Sequence, residues 1–143
     1  MKIVSILILA LALVALASIC VAFAPTSEDV AWKTAVINVS TLMKSDVDKV
    51  NNGPPPSGRY GNQLARDAKD ALNKSKAYNV SNELQNAKEY YEKSLVSFKN
   101  GGYRFSTGCV IRNPSVKTEG LAEINKGSEY MDKAIQELKT VAG

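Results

Sequence analysis

A regularly spaced apolar stripe near the C-terminus is the sequence feature that most limits the fold. Its members are always three or four residues apart: Leu121, Ile124, Ser128, Met131, Ile135, Leu138 and Ala142. This spacing places them on one side of an α-helix and does not match the two-residue period of a strand. Asn113 and Pro114 precede the stripe as a helix cap and a first-turn proline, so we expect a helix from there onward that packs against other helices.

Three further helices are predicted upstream. The run Thr26-Ser27-Glu28-Asp29 matches a capping box, and the helix it opens ends in the Gly- and Pro-rich run 51–58. The apolar stripe of this first helix consists of Trp32, Val36, Val39, Met43 and Val50. A second helix is expected from about Tyr60 to Ala77. A third follows the break at 79–82 and is expected to end at Asn100-Gly101-Gly102, because glycine commonly terminates helices. Its stripe consists of Leu84, Ala87, Tyr91, Leu95 and Phe98.

Four helices with one apolar stripe each, joined by short connections, predict an all-α fold. The arrangement we expect is an up-down-up-down four-helix bundle preceded by an N-terminal hydrophobic helix. Two alternatives remain open at this point. The first helix could stand apart from a three-helix bundle, and the β-prone segments 103–105 and 109–111 could pair as a hairpin around 106–108.

The N-terminal segment has the composition of an export signal. Residues 3–24 are apolar apart from Ser5 and Ser18, with Lys2 before them and acids soon after. The motif Ala22-Phe23-Ala24 favours cleavage, whereas Pro25 disfavours it, and about 33 Å of helix would be long enough to cross a bilayer. The sequence therefore predicts a signal peptide or membrane anchor at 1–24. Residues 25–143 are then an extracytoplasmic domain, either secreted or anchored to the membrane through 3–24.

The residue content argues against an enzyme. The chain has no histidine and two cysteines, which excludes imidazole-based catalysis, histidine metal sites and a four-thiolate site. The carboxylates are spread over exposed helix faces, often with a lysine four residues away, as expected for a solvated surface. We therefore expect no catalytic residues, no metal and no cofactor.

Charge position is more informative than the net charge of +4. The segments 49–66 and 99–117 contain bases and no acids, and they cover the 1-2 and 3-4 connections, which lie at one end of an up-down bundle. The predicted basic loop tip, with its neighbouring aromatic residues, comprises Lys49, Arg59, Tyr60, Arg66, Lys99, Tyr103, Arg104, Phe105, Arg112 and Lys117. Because arginine binds carboxylates and phosphates in a bidentate way, the expected partner is an anionic envelope polymer or an acidic protein surface.

The expected function is thus that of a non-enzymatic cell-envelope or secreted protein that binds an anionic partner. The alternative is an extracytoplasmic sensor or adaptor that binds a small ligand between the second and third helices. There, Ala68, Ala71 and Ala87 leave little side-chain volume.

Two kinds of covalent modification are also expected. Asn38, Asn73 and Asn79 begin sequons for N-glycosylation. Cys109 becomes the only thiol of the mature chain if the signal is removed, and Arg104 and Arg112 lie near it in sequence. A lone cysteine in an oxidising compartment predicts an intermolecular disulfide, and hence a homodimer through Cys109.

Overall fold

The computed structural model describes residues 24–142, and all regular elements in that range are helical. They are α1 (Ser27–Asn52), α2 (Gly58–Ser75), a 3-10 turn (Asn82–Leu84), α3 (Gln85–Val110) and α4 (Pro114–Ala142). The prediction of an all-helical bundle is confirmed. The predicted signal or anchor lies outside the described residues except for Ala24. Within the described range no helix is long and apolar enough to span a membrane.

Hydrogen bonds between the last three helices show that each of them is antiparallel to the next along the chain. Ser94 Oγ donates to the carbonyl of Gly127 over 2.7 Å, and Ser97 Oγ donates to Glu123 over 2.8 Å, so α3 and α4 are antiparallel. Ser75, at the end of α2, donates to Glu92 near the start of α3 over 2.9 Å. The end of α3 is correspondingly close to the start of α2.

Glycines bring the α3 and α4 backbones together, and this corrects the predicted end of the third helix. That helix does not stop at Asn100-Gly101-Gly102 but continues to Val110, so the hairpin alternative is also wrong. A Cβ atom on Gly120 would lie 2.4 Å from the amide nitrogen of Phe105 and 2.9 Å from the carbonyl oxygen of Gly101. These glycines lie inside helices, where the absence of a side chain leaves space for the backbone of the neighbouring helix.

The same close approach shifts the buried stripe of α4. Its members are Gly120, Ile124, Gly127, Met131, Ala134 and Leu138. The predicted stripe shares Ile124, Met131 and Leu138, whereas Leu121 and Ile135 are half-buried at its border. The contact is centred on small residues because larger ones would separate the two backbones.

Helix α1 does not stand apart from the bundle, so the three-helix alternative is wrong. Trp32 is fully buried, and its ring meets that of Tyr91 edge to face at 6.0 Å between centroids. Val36 and Met43 of the predicted stripe are also buried. Burial of three such side chains stabilises the α1 contact by several kcal/mol, at about 1.5–3 kcal/mol each.

A buried aspartate fixes the N-terminal end of α1. Asp29 Oδ2 accepts the Thr26 amide over 2.8 Å while Thr26 Oγ1 accepts the Asp29 amide over 3.0 Å, which confirms the predicted capping box. The other oxygen, Oδ1, accepts the amide of Ser81 over 2.9 Å. Burial raises the pKa of Asp29, but these amide donors outweigh it, and the net pKa lies below the ordinary value. Asp29 thus both completes the capping box of α1 and joins this helix to the α2–α3 connection.

A second buried aspartate lies on α1 opposite α2. Asp46 is 1% exposed; its Oδ1 is 3.2 Å from Lys49 Nζ, and its Oδ2 has no donor among the described residues. The Asp67 carboxyl of α2 is near enough to affect the pKa of Asp46. Burial, followed by the proximity of Asp67, raises the pKa of Asp46, although Lys49 opposes the shift. These surroundings favour the protonated form of Asp46 more than those of an exposed aspartate do.

The glycine contact can be tested with Gly120→Ala. We expect a loss of about 1–3 kcal/mol in the free energy of unfolding, because the new methyl group would meet backbone atoms that cannot move aside. Gly58→Ala is the matched control, since its Cβ would meet nothing closer than the Cβ of Cys109 at 3.2 Å. Urea denaturation measures both. Equal stabilities of the two variants would contradict the proposed role of the contact.

The pair formed by buried Asp46 and half-buried Asp67 predicts a particular pH dependence. A raised pKa means that the folded state holds a proton that the unfolded state has lost, so this stability is present at low pH and declines as pH rises through the folded-state pKa. We expect Asp46→Asn to gain stability relative to wild type as pH rises from about 4 to 7, the ordinary aspartate pKa being about 3.9. Thermal unfolding at several pH values measures the difference.

Asp48→Asn is the control for this prediction, because Asp48 is an exposed aspartate of the same helix. Parallel pH profiles of Asp46→Asn and wild type would show that the pair does not hold a proton.

Candidate functional site

The α1–α2 and α3–α4 connections meet at one end of the bundle. Ser57 Oγ, just before α2, lies 3.7 Å from Cys109 Sγ in the last turn of α3. An open cleft of about 370 Å³ lies between the two connections. The lining residues are Ser57, Gly108, Cys109, Arg112, Asn113, Pro114 and Lys117. We call this end of the bundle, with the exposed Arg59, Val110 and Ile111 beside the cleft, the tip.

Arg112 occupies a backbone position that normally favours glycine. Its φ is 53°, in the left-handed region, and the Asn113 amide donates to the Gly108 carbonyl over 2.9 Å. This bond closes a helix C-terminal motif in which the left-handed residue is most often glycine. An arginine at that position carries a conformational cost of about 1–2 kcal/mol. The backbone thereby holds the Arg112 side chain at the tip.

The N-terminus of α4 begins beside Arg112. Asn113 Oδ1 accepts the amides of Ser115 over 3.0 Å and Val116 over 3.2 Å, which makes Asn113 the predicted cap. The positive end of the α4 dipole therefore adds to the charges of Arg112 and Lys117 around the cleft.

Three bases of the tip are available to an external anion. Arg112 is exposed, and no carboxylate of the described residues forms an ion pair with it. Lys117 Nζ lies 5.4 Å from the centroid of the Phe105 ring. Arg59 lies 4.7 Å over the Tyr60 ring and donates to its hydroxyl over 2.6 Å, so Tyr60 orients the guanidinium.

The structure separates several predicted tip residues from this end. The segment predicted to cover the connection begins at Lys99, but Lys99, Tyr103, Arg104 and Phe105 all lie within α3, which continues to Val110. Phe105 is 1% exposed and belongs to the core, so it offers no free ring surface. Arg66 is exposed on α2, about 12 Å from the start of that helix at 1.5 Å per residue.

Acids outside the two acid-free stretches lie within ion-pair distance of two of the predicted bases. Arg104 Nη1 lies 2.9 Å from Glu119 Oε2 of α4, and Lys49 pairs with the buried Asp46 at 3.2 Å. Counting acids within a stretch of sequence could not reveal the first of these pairs, because Glu119 lies just beyond the stretch. The charge of the tip is therefore smaller than the sequence predicts and is concentrated in Arg59, Arg112 and Lys117.

Sequence reasoning missed the apolar part of the tip. Val110 is 76% exposed and Ile111 is 58% exposed, more than the other large hydrophobic side chains of the described residues except Ile37 at 61%. The available signal is a valine and an isoleucine directly before an arginine, but the sequence analysis considers these two residues only for the hairpin alternative. Their exposure follows from their position in and just after the last turn of α3.

The interior offers less room for a ligand than the alternative function requires. The enclosed space between α1, α2 and α3, bordered by Trp32, Ala71 and Tyr91, measures about 60 Å³, whereas ligand sites typically need about 300 Å³ or more. A groove of about 430 Å³ that is open to solvent is lined by residues of α2, α3 and α4. A second groove of about 400 Å³ lies between α1 and α4, lined in part by Met43, Val47, Met131 and Ile135. No cluster of three potential metal ligands occurs in the part of the chain that the structure describes.

The three predicted glycosylation sites lie on the surface. Asn38, Asn73 and Asn79 are all exposed, the first two on α1 and α2 and the third in the α2–α3 connection. The backbone amide of Asn79 donates to Glu28, which leaves its side chain accessible. Glycosylation at these positions stays a prediction.

Comparisons with known proteins give no relative for this chain. No protein-family model matches it, and neither curated proteins nor solved structures include a significant match.

Proposed function

We propose that this protein is a non-enzymatic, extracytoplasmic helical-bundle protein that binds an anionic partner through its tip. The up-down-up-down order of the helices is part of this proposal, because it brings the α1–α2 and α3–α4 connections to one end. The contact between Ser57 and Cys109 supports it. The export-type composition of residues 3–24 supports the location, secreted or anchored.

The observation that carries the proposal is the strained, unpaired Arg112. A glycine would relieve the left-handed backbone, yet an arginine stands there with its guanidinium exposed. Arg59 and Lys117 supply two further positive charges at the same end. Such a group steers anions and can bind carboxylates, sulfates or phosphates in a bidentate way.

The partner expected from the sequence is an anionic envelope polymer or an acidic protein surface. The cleft of about 370 Å³ has the size of a monosaccharide or a few side-chain carboxylates rather than of a large cofactor. The alternative, a sensor or adaptor with a small ligand between α2 and α3, is less well supported because the enclosed space beside these helices measures only about 60 Å³ and the groove of about 430 Å³ that both helices line is open to solvent.

The charge of the tip can be tested by replacing Arg59, Arg112 and Lys117 with Gln. We expect at least about tenfold weaker retention on a sulfated polysaccharide matrix at low salt, because three unpaired charges are removed. Elution across a salt gradient measures the effect. The matched control replaces Lys44, Lys69 and Lys139, which are exposed elsewhere and lower the net charge equally.

Equal loss in the tip and control variants would assign retention to net charge alone. Unchanged retention of the tip variant would contradict the proposed function directly.

An intermolecular disulfide through Cys109 stays a separate prediction. The thiol is half-buried in the cleft wall beside Ser57, so a dimer would have to bring two tips together. We expect a dimer band on non-reducing electrophoresis that disappears on reduction and in Cys109→Ser. A monomer alone, under oxidising conditions and with a thiol that still reacts with maleimide, would contradict the disulfide.

A further inference from the structure

The apolar side chains of the tip have no role in binding an anion. Val110 and Ile111 are adjacent in sequence, 76% and 58% exposed, and directly precede Arg112. Their exposure places two aliphatic groups in water next to a positively charged group. A polysaccharide or a free anion would bind the charges and leave these groups in water.

An aromatic side chain lies on the same helix, farther from the tip. Tyr103 is 41% exposed and precedes Val110 by seven residues, which places the two on one side of α3 about 10 Å apart. On this side of α3, the aliphatic Val110 thus lies at the end of the helix, and Tyr103 lies farther from that end. Tyrosine is typical of the headgroup region of a bilayer, and aliphatic groups are typical of its acyl region.

We propose that the tip docks on an anionic lipid bilayer, with Val110 and Ile111 entering the acyl boundary and Arg59, Arg112 and Lys117 contacting the headgroups. This inference rests on the proposed function, since it identifies the anionic partner of the same tip. It concerns the end formed by the α3–α4 connection and is independent of residues 3–24.

Charge and shape favour a bilayer over a protein partner. The nearest acid along the chain, Glu119, already pairs with Arg104, so the bases of the tip meet no competing carboxylate among the described residues. The aliphatic groups protrude at a helix end, and an acyl layer accepts protruding groups without a pre-formed pocket. Anionic headgroups complement all three bases at once.

The test uses the full chain with an environment-sensitive fluorophore on a single cysteine. The label is attached through Val110→Cys, with Cys20 and Cys109 replaced by Ser, and vesicles contain 30% phosphatidylglycerol in phosphatidylcholine. We expect a blue shift and quenching by doxyl-labelled acyl chains. A label at Ile37→Cys, at a site 61% exposed on α1, is the matched control and should show neither.

Substitutions in the labelled protein separate the contribution of the three bases from that of the aliphatic side chains. Replacing Arg59, Arg112 and Lys117 with Gln should raise the lipid concentration for half-maximal shift by on the order of 100-fold, taking the typical contribution of each base near an anionic surface. Ile111→Ser should raise it by on the order of tenfold. Val30→Ser, at a similarly exposed site on α1, should leave it unchanged.

Three outcomes would overturn the proposal. The first is no response of the label at 110 to any vesicle, and the second is an equal response to purely zwitterionic vesicles. The third is a shift with protein concentration in the absence of lipid, which would identify a second copy as the occupant. In the first case, retention on the polysaccharide matrix that still depends on the three bases would leave the proposed function standing. Loss of both responses would reject the proposed function as well.

Discussion

The close approach of the α3 and α4 backbones is the contact on which the rest of the bundle depends. Gly101 faces Gly120 without room for a methyl group, and Gly127 is just as tightly packed against the Phe98 ring. Because the two backbones are this close, α3 continues for nine residues beyond Gly101 instead of ending there. At 1.5 Å per residue, this moves the end of α3 by about 14 Å and determines where Arg112 lies.

Helix α1 is attached by a different kind of interaction. Its apolar face buries Trp32 and Met43, and it also contains two buried aspartates whose surroundings shift their pKa values in opposite directions. Backbone amides surround the Asp29 carboxylate and favour its ionised form, whereas Asp46 faces another carboxyl and favours the protonated form. Two groups of the same type thus make α1 sensitive to pH from both sides, since one contribution declines on acidification and the other on alkalinisation.

The tip shows how antiparallel packing redistributes charge. Segments without acids become neutral where a neighbouring helix contributes a carboxylate, as Glu119 does for Arg104. Arg59, Arg112 and Lys117 lie near helix ends and form no ion pair with a carboxylate of the described residues. The remaining charges are fewer than the sequence predicts but are joined by Val110 and Ile111, which changes the surface from purely basic to amphipathic.

The sequence by itself determined the helical class, the capping box at Thr26, the start of α4 at Pro114 and the break after Asn52. These features depend on local hydrogen bonding and on spacing, which are set by neighbours in the chain. Only the tertiary structure decided that Gly101 lies inside a helix, that Phe105 is buried and that Arg104 is paired. A glycine ends a helix in one setting and lies inside a closely packed helix in another, and the residues that pack against it decide which. A charged side chain is paired or unpaired according to which residue lies opposite. Both are decided by residues that are distant in sequence.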